Sequence, residues 1–260
     1  MAFGGGTTQV RREPLGVVAA IVAWNYSQAL AMMKIAPALA AGCTVVLKPA
    51  LETALDANIV ADAAAEAGLP PGVLNVVPGG LEAGEALVAH PGVNKVAFTG
   101  STPAGRSIGE VCGRLLRPVT LELGGKSAAV VLDDADLEAT AAGLARVSFP
   151  NSGQTCYAST RVLAPESRYE DVLEAVTGMA ASLRVGAPFD PATALGPVVS
   201  ARQRERVEHY IADGRDAGAR LTTGGKALAG RIQTGTVGIN GYAQDLASPF
   251  GGYKASGSGP

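Results

Sequence analysis

The chain has 260 residues and a formal net charge of -2; 47% of its residues are hydrophobic and 17% are charged. That apolar share is enough to bury a core and excludes a disordered chain. With no basic excess, a protein that grips nucleic-acid backbones is also excluded.

Two periodicities alternate along the first half. Residues 15–23 form an unbroken apolar, β-branched run, the pattern of a strand covered on both faces. A helix is predicted over residues 28–41, ending at Gly42, and a second strand over 44–48, stopped by Pro49. An alanine-rich helix over 53–67 closes at Gly68, and the turn 69–72 leads into a strand over 73–77. A helix over 81–89, a strand over 95–98, a helix from Pro103 to Cys112 and a strand over 118–121 follow. Strands separated by helices imply right-handed crossovers and a parallel sheet, with ligands beyond the carboxyl ends of the strands. Those ends carry Trp24-Asn25, Lys48-Pro49, Pro78-Gly-Gly80 and Thr99-Gly-Ser101.

The second half alternates less cleanly. Strands are predicted over 128–132 and 161–164, and helices over 137–148, 168–184 and 201–217. Leu123-Gly-Gly125 is the expected hinge, giving a lobe over 11–123 and a second over 124–260. The apolar run 15–23 is too short to span a bilayer, and the first ten residues lack the apolar core of a secretion signal. Three cysteines without a C-x-x-C pair argue against a disulfide framework and suit the cytoplasm. Two histidines, His90 and His209, do not make a His-rich metal site.

Three segments carry candidate chemistry. Phe98-Thr-Gly-Ser-Thr-Pro-Ala-Gly105 joins a strand end, a glycine turn and a helix start, where free N–H groups and the helix dipole suit a pyrophosphate. Gly100 lets backbone approach a ligand, and Ser101 supplies a hydroxyl; an ordinary helix cap explains the same residues. Asn151-Ser-Gly-Gln-Thr-Cys156 sets a thiol among small polar residues, at an expected turn into a helix whose N-terminus would lower its pKa from roughly 8.5. The competing reading is a buried structural thiol, which is preferred for Cys43 and Cys112. Glu122 ends an apolar strand, where burial would raise its pKa toward that of a useful base, or where a Lys or Arg could pair with it.

Taken in order, these segments resemble the aldehyde dehydrogenase superfamily. The resemblance runs through Trp24-Asn25, Lys48-Pro49, Phe98-Thr-Gly-Ser-Thr102, Leu121-Glu-Leu-Gly-Gly-Lys126 and Gly153-Gln-Thr-Cys156. It continues in Gly235-Thr-Val-Gly-Ile-Asn240 and Pro249-Phe-Gly-Gly-Tyr-Lys-Ala-Ser-Gly257, so it covers nearly the whole chain after residue 10. It implies an α/β fold with a Rossmann-type parallel-sheet lobe and a second α/β catalytic lobe. It also implies oxidation of a small-molecule aldehyde to a carboxylic acid with NAD or NADP. By resemblance Cys156 is the nucleophile, Glu122 the base that activates water, and Asn25 the amide that donates to the oxyanion with the Cys156 N–H. Trp24, Lys48, Gly100, Ser101 and Leu123 are the implied cofactor-binding residues, and Lys126 is structural.

Departures from the family pattern shape the expectation. Ser27 stands where many members have proline. Leu51 stands where many NAD-preferring members have a ribose-gripping glutamate, with Glu52 one step later, which leaves NADP less excluded. The family's Glu-Glu-Ile-Phe-Gly-Pro segment, expected between the cysteine and the final motif, is missing where Thr222-Thr-Gly-Gly-Lys226 runs straight into Ala227-Leu-Ala-Gly-Arg-Ile-Gln233, an internal deletion that would hold the nicotinamide poorly. Both ends are short of the family pattern, so the usual homo-oligomer is not expected. Two alternatives to the active oxidoreductase stand: a non-catalytic remnant that at most binds a dinucleotide, and a cofactor-independent thiol esterase. Acyl transfer to coenzyme A loses ground because Glu122 favours hydrolysis, and the particular aldehyde is not legible.

Overall fold

The computed structural model describes residues 9–224 and 257–258. The chain divides into two compact units, one of residues 1–99 with 107–119 and one of 100–106 with 120–260.

The first unit alternates strand and helix. Its elements are β1 (Val17–Ile21), α1 (Ser27–Ala40), β2 (Thr44–Lys48), α2 (Ala54–Glu66), β3 (Leu74–Val76), α3 (Leu81–Ala89), β4 (Lys95–Gly100) and most of α4 (Thr102–Arg114). The strands run parallel in the order β3-β2-β1-β4. Val17 pairs with Thr44, Val18 with Lys95 and Val45 with Leu74. Central β1 reads as continuous apolar sequence because both its faces are covered; Ala19 and Ala20 are wholly buried. Ala20, Val45 and Leu47 meet Ala31 and Ile35 of α1 and Ala57 of α2 in one core cluster. Burying a side chain such as Leu47 contributes about 1.5–3 kcal/mol.

The helix ends fall where the glycines predict. Gly42 has φ +77°, its N–H donates to the Leu39 carbonyl, and the Cys43 N–H reaches back to the Ala38 carbonyl. Gly68, with φ +78°, closes α2 the same way, its N–H to the Ala65 carbonyl and the Leu69 N–H to Ala64. A left-handed residue is what lets both last-turn carbonyls be satisfied at once.

The second unit contains most of β5 (Val119–Leu123), then β6 (Ala128–Val130), α5 (Leu137–Ser148), β7 (Arg161–Leu163), α6 (Tyr169–Ser182), α7 (Ala201–Asp216) and β8 (Gly257–Ser258). β6 and β7 pair in parallel, Ala128 opposite Arg161. β8 lies antiparallel to β5, with Ser258 opposite Leu121 and Gly257 opposite Glu122. Asp136 caps α5 by accepting from the Ala139 N–H at 2.8 Å. Arg168 ties the start of α6 to the loop before α5, one guanidinium nitrogen donating to the carbonyls of Asp133 and Ala135, each at 2.8 Å.

The α/β class and the parallel sheet of the first unit agree with the sequence reading. Two strands run further than predicted: β4 continues to Gly100 and β5 to Leu123. Thus Gly100, Glu122 and Leu123 are strand residues, fixed by ladder geometry and not by loops. The motifs 235–240 and 249–256 and the deletion junction near 226–233 lie outside the described residues. No helix among the described residues is long and apolar enough to cross a membrane, and no group of three His, Cys, Asp or Glu among them could hold a metal ion.

Candidate active site

In the first unit, candidate residues sit at the carboxyl ends of parallel strands. Trp24 and Asn25 follow β1 in the turn that opens α1, both half-buried. Ser27, the residue in place of proline, donates its hydroxyl to Asp56 of α2, so the departure ties this turn to the neighbouring helix. Lys48 ends β2 and is buried; its Nζ donates to the Pro49 carbonyl at 3.2 Å. Burial lowers the Lys48 pKa below the usual lysine value, and the nearby Glu52 carboxylate partly opposes that shift. Glu52 is therefore within electrostatic reach of the Lys48 ammonium, while Leu51 itself is exposed.

Sequence reasoning missed Lys34. From the third turn of α1 its Nζ reaches the Thr99 hydroxyl, at 2.7 Å, setting a second ammonium near the end of β4. The signal was present as a lone cation in the apolar run Met32-Met33-Lys34-Ile35, which a reading by strand-end motifs passes over.

In the second unit, Gly100 and Ser101 lead directly into α4. Ser101 is its N-cap: its Oγ accepts from the Ala104 N–H at 3.4 Å and its carbonyl from the Gly105 N–H at 2.9 Å. The cap uses the hydroxyl oxygen as acceptor and leaves its proton available for a ligand. The cap and the cofactor readings of Ser101 are thus compatible. Leu123, at the end of β5, packs on this same first turn: a Cβ on Gly105 would stand 2.5 Å from Leu123 Cδ2. Glu122 is half-buried, with its Oε1 shielded from solvent, so the strand around it is less deeply buried than its apolar sequence implies.

Cys156 sits in a turn at residues 156–157, half-buried and in no disulfide. The chain leading to it is unusual. Asn151, Ser152 and Gly153 have successive φ values of 51°, 57° and 77° at the end of a short 3-10 turn (Pro150–Gly153). Left-handed conformations in non-glycine residues cost on the order of 1–3 kcal/mol each and persist only where surroundings impose them. Here Thr155, itself 1% exposed, donates its hydroxyl to the Pro150 carbonyl at 3.0 Å. After the thiol, the Ser159 N–H donates to Val147 and the Ser148 hydroxyl to the Ser159 carbonyl, at 3.0 and 2.6 Å. The helix expected to follow Cys156 is not there; residues 158–160 lead into β7. A helix dipole therefore does not act on this thiol from its own segment.

A cavity of about 820 Å³ opens beside β6 and α5. Tyr157 and Ser159 line it; Cys156 and Glu122 do not. The two units thus divide the candidates, with Trp24, Asn25 and Lys48 in the first and Gly100, Ser101, Glu122, Leu123 and Cys156 in the second.

A sheet of parallel strands alternating with helices, with polar side chains at the carboxyl ends of its strands, defines an α/β protein of the open-sheet type. Comparison with known proteins makes this specific. The model of the aldehyde dehydrogenase family matches residues 2–231, and the chain belongs to that family. It is 46% identical to geranial dehydrogenase of Castellaniella defragrans over 324 aligned positions, covering 98% of this chain and 68% of that protein. It is 52% identical to phenylacetaldehyde dehydrogenase of Pseudomonas fluorescens over 216 positions, covering 83% of this chain and 43% of that protein. The structure of a Mycobacterium tuberculosis aldehyde dehydrogenase in complex with NAD+ superposes with TM-score 0.89 at 44% identity, over 95% of this chain and 66% of that one. The chain thus spans about two thirds or less of the length of these relatives. The 324 positions of the first alignment outnumber the 260 residues present, so that alignment opens gaps in this chain, as an internal deletion requires.

Proposed function

We propose that this protein oxidises a small-molecule aldehyde to the carboxylic acid with NAD or NADP. Cys156 is the nucleophile, Glu122 the general base and Asn25 an oxyanion donor. Trp24, Lys48, Gly100, Ser101 and Leu123 hold the dinucleotide. Residues 11–123, which take in 11–99 and 107–119 of the first compact unit and the stretches 100–106 and 120–123 of the second, are read as the dinucleotide-binding lobe, and 124–260 as the catalytic lobe. The observation that carries the reading is family membership over residues 2–231 with the thiol, carboxylate and amide all present in their motifs.

The residues fit a dinucleotide. Ser101 keeps a hydroxyl proton at the start of α4, where first-turn N–H groups favour a phosphate. The Lys48 ammonium lies at a strand end and Glu52 beside it, a cation and an acceptor for ribose hydroxyls. A bound nicotinamide supplies the hydride acceptor. The chain supplies the rest. The Cys156 thiolate adds to the aldehyde carbonyl, forming a C–S bond and a tetrahedral oxyanion that the Asn25 amide and the Cys156 N–H stabilise. Loss of hydride from that carbon leaves a thioester on Cys156. Glu122 takes a proton from water, whose oxygen attacks the thioester carbon, and the C–S bond breaks to release the acid and the thiolate.

Three cysteines, Cys43, Cys112 and Cys156, that form no disulfide suit a reducing compartment, and the cytoplasmic location is part of the proposal. The test is turnover. Purified protein with NAD+ or NADP+ and a panel of aldehydes, including terpenoid and arylacetic ones, is expected to give reduced cofactor, and Cys156→Ala none. Folded protein that reduces neither cofactor with any aldehyde overturns the reading.

The gaps opened against geranial dehydrogenase favour one second reading, a dinucleotide-binding protein without turnover. Calorimetric titration separates the two, since that reading requires cofactor binding with no hydride transfer.

A further inference from the structure

Gln154 uses both ends of its side chain. Its Nε2 donates to the Asn151 carbonyl at 3.0 Å, inside the left-handed turn. Its Oε1 accepts from the Val199 N–H at 2.8 Å, a bond that spans 45 residues of sequence. Gln154 stands two residues before Cys156, and the three left-handed residues stand immediately before Gln154. The amide therefore joins the strained end of the thiol's loop to a distant stretch of backbone.

That distant stretch is itself held. The Leu195 N–H donates to the Arg184 carbonyl at 3.0 Å and the Gly186 N–H to the Leu195 carbonyl at 3.1 Å. Arg184 pairs with Asp190 at 2.6 Å, and Leu195 is 1% exposed. Ser200, next to Val199, caps α7 by accepting from the Gln203 N–H at 3.3 Å. Gly196 faces the same turn: a Cβ there would lie 3.8 Å from the Ser152 hydroxyl. The 184–200 segment thus has its own backbone anchors and a helix behind it, so it can serve as a brace and not only as a passenger.

We infer that Gln154 is a positioning residue that fixes the Cys156 loop against the 184–200 segment. The role rests on the reading of Cys156 as nucleophile. It needs an amide in particular. A carboxylate keeps the acceptor for Val199 and loses the donor to Asn151, and asparagine is one methylene shorter. Loosening either bond lets the left-handed turn relax and shifts the thiol that follows it.

The experiment measures alkylation of Cys156 by iodoacetamide across pH, with the site assigned by peptide mass, in the parent, Gln154→Ala and Gln154→Asn. Amide hydrogen exchange at Val199 is followed alongside. The buried Cys43 and Cys112 report whether the fold has opened. For Gln154→Ala, Val199 exchange is expected to quicken about tenfold, and Cys156 alkylation near neutral pH to fall about fivefold with a moved pH midpoint, while Cys43 and Cys112 stay unreactive. A reactive parent Cys156 whose rate and profile are unchanged in Gln154→Ala overturns the inference alone. A parent Cys156 no faster than free cysteine removes the nucleophile reading, and the inference with it. Should Gln154→Ala expose Cys43 or Cys112, the neutral Gln154→Asn, one methylene too short to keep both bonds, decides on the same readouts: an altered profile supports the inference and an unaltered one overturns it.

Discussion

Gly105 and Leu123 are packed so closely that a single added methyl forces the leucine side chain to move. A Cβ on Gly105 would come within 2.5 Å of Leu123 Cδ2 and 2.7 Å of Cδ1, far inside van der Waals contact. The first turn of α4 and the end of β5 therefore fix each other through a glycine and a leucine.

Gly105→Ala is expected to weaken dinucleotide binding while leaving the fold intact. The Leu123 side chain must turn aside, since its terminal atoms are the ones struck, and its place beside the first turn of α4 changes with it. A loss of about 1.4 kcal/mol is about tenfold in Kd. Quenching of Trp24, the one tryptophan, by added NAD+ measures it. An unchanged Kd would show that Leu123 does not shape the cofactor site.

Glu122→Gln should separate the two halves of the reaction. The amide keeps the shape of the carboxylate but cannot take a proton from water. Acylation of Cys156 and hydride loss precede that step, so one equivalent of reduced cofactor is expected in a rapid burst. Steady turnover should then fall by about 10²–10⁴, the usual contribution of a general base. Rapid-mixing absorbance resolves burst from steady state. A variant without a burst, or one with full steady turnover, would remove Glu122 from the base role.

The first unit was legible because its signals are local. Continuous apolar runs gave β1 and β2, glycines with positive φ ended α1 and α2, and these need no distant partner. The candidate site was legible only in part. Ser101 and Cys156 stand in recognisable motifs, yet the helix expected after Cys156 is absent, because small polar residues suit a turn as well as a helix start. The links from Lys34 to Thr99 and from Gln154 to Val199 join residues 65 and 45 apart, and periodicity carries no information about such pairs. Glu52 taking a place beside Lys48 depends on the short 3-10 turn Leu51–Thr53, which a one-residue offset in sequence conceals.

Lys48 should make stability depend on pH in a stated direction. Its pKa in the folded chain lies below the ordinary 10.5, chiefly through burial. Between the folded and unfolded values the unfolded chain binds more protons, so stability rises with pH across that window. Below the folded value the buried ammonium is a constant cost. Lys48→Met is therefore expected to be more stable than the parent near neutral pH, with the gap narrowing as pH climbs toward 10.5. Taking the difference between the two proteins removes groups they share. Urea unfolding at several pH values measures it, and a gap that widens with pH would contradict the desolvation of Lys48.

Leu116 offers a test of backbone strain away from the chemistry. It ends α4 with φ +50° and is 92% exposed, its N–H donating to the Gly113 carbonyl and the Arg117 N–H to Cys112. That is the same left-handed closure that Gly42 and Gly68 provide, here made by a leucine. A left-handed leucine costs roughly 1–2 kcal/mol, whereas glycine at the same place costs about 0.5–1 kcal/mol in unfolded-chain entropy. With little packing to lose, relief of strain outweighs entropy. Leu116→Gly is thus expected to raise unfolding stability by about 0.5–1 kcal/mol, with Leu116→Asn intermediate. Leu116→Val should lose stability, since a β-branched side chain tolerates this conformation worst. Chemical denaturation of the three variants ranks them, and a valine variant as stable as the glycine one would show that the turn carries no strain.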